Sequence, residues 1–230
     1  MKIIKRFVKL CIIFILLFCI LMVYMGKQKY EKAVNETPIS EAAENIRGKE
    51  NFTPIESISP MLVSAIVSVE DKRFYIHNGY DVLGICRAFY NNIKYRSFNE
   101  GGSGITQQLA KNMYFLNDNS LSRKIAEIFV AKDIEELFDK EEILELYLNV
   151  IYFGSGYYCV YDATMGYFEK TPAKISDGEA TLLAGVPNAP SLYSPKVNYA
   201  LSKKRQEKVL ACMVDEKIIT KEEAEKIYKE

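Results

Sequence analysis

Glu70-Asp-Lys-Arg-Phe-Tyr-Ile-His-Asn-Gly-Tyr-Asp81 is the stretch on which the reading of this chain turns. It follows an apolar run ending in Val69 and brings acids, bases and the single histidine together within twelve residues. Ser59-Pro60 supplies an N-cap and a first helical position, and Leu62, Val63, Ile66, Val67 and Val69 give the intervening helix a wide core-facing stripe. Glu70 therefore stands where a buried helix surfaces. A carboxylate there can be desolvated enough to act as a general base, held by the packed helix beneath it. Taken alone, Glu70 to Arg73 also fits a solvated helix end, and His77 a structural histidine.

Outward from that stretch, 230 residues suffice for one good core and a small second lobe. Thirty basic residues balance thirty acidic ones, so there is no net field to attract a nucleic acid, and none is expected as a partner. Leu10 to Gly26 is uncharged and apolar and follows Lys2, Lys5, Arg6 and Lys9, which reads as a membrane span behind a basic tail. Its 17 residues reach about 25 Å at ~1.5 Å per residue, slightly under a bilayer core of ~30 Å. No small-residue cleavage site follows it, and the flanking cations favour a cytoplasmic N-terminus. The expected organisation is a tail at 1–9, a span at 10–26, a polar stalk at 27–51 and a folded domain at 52–230. Cys11 and Cys19 lie in the span, and Cys86, Cys159 and Cys212 show neither a disulfide framework nor metal-ligand spacing.

Caps and period make the domain mainly α, with about eight helices. Ser122 is the expected cap of one helix. Asp139 with Glu142, Ser176 with Glu179 and Thr220 with Glu223 form capping boxes, and Asn198 caps a helix reaching Val214. Strand alternation is nearly absent.

Three further segments carry polar chemistry. Gly101-Gly-Ser-Gly-Ile-Thr-Gln-Gln-Leu-Ala-Lys-Asn112 runs glycines into a helix start, where free N–H groups favour an anion, with Gln107 and Lys111 four apart. Arg123 and Glu127 also stand four apart, as a structural ion pair or a catalytic one would. Ile143-Leu-Glu-Leu-Tyr-Leu-Asn149 is so apolar that its exceptions, Glu145 and Asn149, need polar partners in a neighbouring loop.

Together these segments resemble the family 51 glycosyltransferases, the peptidoglycan glycosyltransferases that polymerise lipid II. The first family motif is met by Glu70, Asp71, Phe74, His77 and Gly79; the second by Gly101 to Asn112; the third by Arg123, Lys124 and Glu127; the fourth by Ile143 to Asn149. The fifth appears as Ala180 to Gly185 leading to Pro190, Tyr193 and Pro195. Gly104 stands where the family has threonine and Cys159 where it has glycine, expected respectively to loosen a loop and to crowd a backbone.

The resemblance implies a lysozyme-like helical domain with a small membrane-facing jaw, here Val82 to Phe98 with Ile85, Phe89, Tyr90, Ile93, Tyr95 and Phe98 among Arg87, Lys94 and Arg96. It implies Glu70 and Glu127 as catalytic residues. It implies substrate contacts from Asp71, Phe74, His77, Ser103, Thr106, Gln107, Gln108, Lys111, Asn112, Arg123, Lys124 and Asn149. It further implies a divalent metal, Mg2+ or Mn2+, at Glu127, and no organic cofactor. Lipid II, a lipid-linked glycan strand, the membrane and other cell-wall synthesis proteins are the implied partners, with the domain outside the cytoplasm. Because a pyrophosphate leaves as an anion, the reaction needs cations at the leaving group where a glycosidase needs a carboxylic acid. A lysozyme-like muramidase or lytic transglycosylase, and an inactive cell-wall scaffold, are the alternatives. The chain carries no Ser-x-x-Lys transpeptidase region after the glycosyltransferase motifs, as in monofunctional members.

Overall fold

Apolar period sets the helices and polar caps set their ends. The computed structural model describes residues 2–94 and 101–230, and among them the regular structure is entirely helical. The helix starting at Pro60 forms as expected, Pro60–Glu70 (here α3), and it buries Leu62, Ala65 and Ile66 completely. Its neighbours are α9 (Asp177–Ala184) and α11 (Tyr199–Asp215). Beside this group, α5 (Ile105–Tyr114), α6 (Leu121–Leu137) and α7 (Lys140–Leu148) pack together around Leu109, Ile134, Ile143 and Leu144. Thr106 Oγ1 donates to Glu135 at 2.6 Å, which fixes α5 and α6 head to tail. The other α-helices are α1 (Lys2–Glu36), α2 (Ile39–Arg47), α4 (Val82–Lys94), α8 (Val160–Phe168), α10 (Pro190–Tyr193) and α12 (Lys221–Lys229).

The three capping boxes form where the sequence puts them, and Asn198 Oδ1 accepts from the Leu201 N–H at 3.0 Å. The cap of α6 differs. Ser120, two residues before the expected Ser122, accepts from the Arg123 N–H at 3.3 Å, and Ser122 is buried beside it. The jaw residues Tyr95, Arg96 and Phe98, and the side chains of Phe89 and Ile93, lie outside the described residues.

The largest departure is the stalk. α1 continues without a break from the apolar run to Glu36 and lies along α6, and α2 follows it into the domain. Tyr30 Oη donates to Asp133 at 2.6 Å, Lys29 pairs with Asp118, and Ile39, Ala43 and Ile46 belong to the main core. Residues 27–51 are thus part of the folded unit. Ile4–Glu36 is also the one helix, among the described residues, long and apolar enough to cross a membrane.

Candidate active site

Glu70 is the last residue of α3, and Asp71 is its C-cap with φ −155°. The turn that follows is fixed from within. Arg73 makes a bidentate pair with Asp81, whose carboxylate also accepts from the Gly84 N–H at 2.9 Å. That N–H and Arg73 hold the Asp81 carboxyl below its usual range against the opposing effect of burial. Gly79 sits at φ +83°, with a built Cβ only 3.0 Å from the Ala131 backbone, so glycine is required there.

Asp71 is buried and binds two elements at once. One oxygen accepts from the Ile105 N–H at 3.0 Å, and both lie 3.0 Å from His77 Nε2. With a carboxylate facing Nε2, that nitrogen carries the proton; Nδ1 is buried without a partner. The free N–H at the start of α5 is therefore satisfied by a carboxylate of another segment. Gly104, the residue before α5, has no side chain, and a Cβ there would run into Asp71. The expectation that Gly104 loosens the loop is corrected by this geometry: Asp71 fills the space and caps the helix. Cys159 is likewise uncrowded, in extended backbone at φ −152°, where its Sγ accepts from the Asp162 N–H and caps α8.

Glu70 Oε2 accepts from Gln108 Nε2 at 2.7 Å. Oε1 is sealed from solvent without a partner, although the residue as a whole is half-buried. Burial raises the Glu70 pKa; Gln108 and Arg205 oppose that shift, and Asp71 adds to it. The Gln108 amide is oriented in turn by Tyr147, whose hydroxyl donates to Gln108 Oε1 at 3.2 Å. Tyr147 is completely buried, and burial, with Glu70 and Asp71 nearby, pushes its phenol well above the usual range, so it remains a donor. The chain Tyr147, Gln108, Glu70 fixes one carboxylate oxygen and leaves the other unengaged. Tyr147 and Arg205 were not among the expected site residues. Tyr147 is a hydroxyl in the mostly apolar run Ile143 to Leu148, and that was its signal; Arg205 had none.

The second charged group lies on the first turns of α6. Glu127 is completely buried; one oxygen pairs with Arg123 and the other accepts from Lys124 Nζ at 2.5 Å. Arg123 Nε is buried without a partner, and Lys124 is partly exposed. Glu127 thus holds two cations. Both of its oxygens are taken, and among the described residues no group of three acidic, histidine or cysteine side chains converges to hold a metal ion. The residues present do not fit the expected Mg2+ or Mn2+ site.

Of the other expected residues, Lys111 is exposed on α5 and Ser103 is half-buried on the loop before it. Asn112 donates to the Gln108 carbonyl at 2.8 Å. Four belong to the scaffold instead of a substrate surface. Phe74 is completely buried, with Lys140 Nζ 4.4 Å above its ring. The Thr106 hydroxyl is engaged by Glu135, and Gln107 is buried with Oε1 facing the Gly104 N–H at 3.4 Å. Asn149 accepts from the Thr53 N–H and donates to the Thr53 and Glu145 carbonyls, each at 2.8 Å, which docks the loop before α3. Glu145 does the same through the Ile55 N–H at 3.0 Å.

The family described as Transglycosylase matches residues 35–214. The chain is 41% identical over 182 residues to penicillin-binding protein 1A of Neisseria gonorrhoeae, covering 79% of this chain and 23% of that protein. It is 43% identical over 176 residues to penicillin-binding protein 1A of Rickettsia felis, covering 75% and 22%. With penicillin-binding protein 2D of Bacillus subtilis the figures are 38% over 186 residues, covering 81% and 27%. The chain spans about a quarter of the length of these relatives. A crystal structure of penicillin-binding protein 1A from Haemophilus influenzae, 33% identical, covers 55% of this chain and 15% of that one with a TM-score of 0.38. The Transglycosylase match runs from the end of α1 to α11 and takes in Glu70, Gln108, Glu127 and Tyr147, and the chain is accordingly a member of the Transglycosylase family.

Proposed function

We propose that the chain is a peptidoglycan glycosyltransferase that joins lipid II to a lipid-linked glycan strand. The observation that carries the reading is Glu70, with one oxygen held by Gln108 and the other buried and unengaged. The acceptor 4-hydroxyl attacks the anomeric carbon of the donor as Glu70 takes its proton; the bond to undecaprenyl pyrophosphate breaks and the linkage inverts to β-1,4. Oε1 is the oxygen available for that proton, and burial makes this carboxylate a stronger base than an ordinary glutamate. Reaching it requires a small movement of the side chains that seal it.

Charge on the leaving pyrophosphate is met by Arg123 and Lys124, kept in place by Glu127, with Lys111 as a further cation on the adjoining helix. No step is assigned to a metal. Asp71 and His77 orient the turn after Glu70. The apolar helix α1 is read as a membrane span with a cytoplasmic N-terminus, so that the domain faces its substrate outside. Exposed Tyr75, Ile76, Leu83 and Tyr90, in the turn after Glu70 and on α4, suit the membrane-facing jaw.

A muramidase would draw on the same raised Glu70 pKa, but it needs a second carboxyl group. The nearest in sequence, Asp71, is occupied by Ile105 and His77. Incubation with lipid II is the test. Polymer is the expected product; release of muropeptides from sacculi would indicate the hydrolase, and neither product a scaffold.

A further inference from the structure

Helices α1 and α6 run parallel in a fixed register. A Cβ built on Gly26 would come within 2.5 Å of Ile125 Cβ and 3.1 Å of the Ser122 carbonyl, so this approach depends on the bare glycine backbone. One turn further, the rings of Tyr30 and Phe129 lie 5.5 Å apart. Residues 26 and 30 of α1 thus meet 125 and 129 of α6, the same four-residue step on both helices. Carried one turn back, the register sets Leu121 level with Met22, about 6 Å inside the end of the apolar run at ~1.5 Å per residue. Arg123 and Lys124 then lie level with Tyr24 and Met25, at its boundary.

At that level and in the loop beside it, apolar side chains are exposed. Leu121 is 64% exposed and Leu116, in the loop before α6, 51% exposed. Three N–H groups of the loop and the first turn are met within this segment. The Asp118 N–H donates to the Phe115 carbonyl at 3.1 Å, the Ser120 N–H to Asp118 at 2.8 Å, and the Arg123 N–H to Ser120. Its acid, Asp118, is neutralised by Lys29. The stems of Arg123 and Lys124 can lie along an apolar layer while their charged ends reach its polar edge.

We propose that the first turn of α6 and the loop before it form a second membrane contact, in which Leu116 and Leu121 enter the bilayer interface beside α1 and Arg123 and Lys124 stand at the depth of the lipid phosphates. The proposal rests on the reading of α1 as a span. A lipid-linked pyrophosphate would then meet its cations at the depth it already occupies.

The chain contains no tryptophan, so single tryptophans report depth without background. The full chain would be reconstituted in phosphatidylcholine and phosphatidylglycerol vesicles brominated either near the headgroup or near the chain ends. Leu116→Trp and Leu121→Trp are the probes, Phe14→Trp the mid-span reference, and Leu137→Trp, 57% exposed at the far end of α6, the aqueous reference. All four sites are exposed, so the fold tolerates them. Leu121→Trp and Leu116→Trp should emit to the blue of Leu137→Trp and lose roughly half their emission to lipid brominated near the headgroup, while Leu137→Trp loses almost none. If both match Leu137→Trp while Phe14→Trp is quenched by the deep bromines, the second contact does not exist. If Phe14→Trp is itself unquenched, the span reading fails and the proposal with it.

Discussion

Glu70→Gln should damage the reaction and strengthen the fold. In the wild type, Glu70 Oε1 is buried without a hydrogen bond, and burial is the main cause of its raised pKa. Folded Glu70 therefore holds its proton more tightly than unfolded Glu70. The stability it contributes is complete below the ordinary glutamate pKa of about 4.3 and is lost as pH rises through the folded value. The substituted amide keeps an acceptor for Gln108 but has no charge to desolvate. Relieving an unsatisfied buried charge gains about 1–3 kcal/mol, or roughly 2–12 °C in melting temperature for a chain of this size. The assay is thermal unfolding of both proteins in detergent between about pH 4 and pH 8, with lipid II polymerisation measured alongside. The melting difference should be small at the acid end, grow with pH and level off. Polymerisation should fall on the order of 10²–10⁴-fold. A melting difference independent of pH would refute the burial argument, and near wild-type polymerisation by Glu70→Gln would refute the assignment of the base.

Tyr147→Phe removes the donor that orients Gln108, so the Glu70 pKa should rise and the acid limb of the rate profile should move to higher pH; an unmoved limb would make Tyr147 a packing residue only. Asn149→Ala leaves the Thr53 backbone groups unpaired in a buried site, which should cost about 1–3 kcal/mol of stability. In polymerisation assays at reduced temperature its rate per folded molecule should be unchanged, whereas a substrate-binding asparagine would show a raised KM. Lys124→Ala should weaken binding of a phosphoglycolipid that mimics the donor, in a titration of the full chain, by about tenfold or less for a partly exposed cation. Stripping divalent ions with a chelator should lower wild-type polymerisation less than Lys124→Ala does, since Glu127 is already engaged by two cations.

What the sequence made legible was local. Capping boxes at Asp139, Ser176 and Thr220 are readable because both partners lie within four residues. Glu70 was readable because an apolar period ends on an acid. Asp71 capping α5 was not, since its partner Ile105 lies 34 residues away and the usual cap position holds a glycine. The role of Tyr147 depends on Gln108, 39 residues distant, and nothing in an apolar helix says which way a hydroxyl points. Residues 27–51 read as a stalk because Lys27, Lys29, Lys32 and their acids dominate the composition. The small apolar set Ala33, Ile39, Ala43 and Ile46 packs on α6 and α7 nonetheless, a tertiary override of a polar average. Motif membership also overstated substrate contact, because Phe74, Thr106, Gln107 and Asn149 are buried for reasons of packing and pairing.

On the proposed reading of α1 as a span, its unbroken passage into the domain gives the bilayer a mechanical hold on the proposed chemistry. An apolar run of about 25 Å under a hydrocarbon layer of ~30 Å leaves a mismatch of roughly 5 Å, which a free helix behind a flexible tether would absorb without effect on the domain. Here α1 is held to α6 at Gly26 and Tyr30 and to the loop before it at Lys29, so the strain falls on the lipid around the protein. Thicker membranes would drag Lys124 inward and thinner ones lift it out. Membrane thickness would thereby become a setting for the proposed reaction.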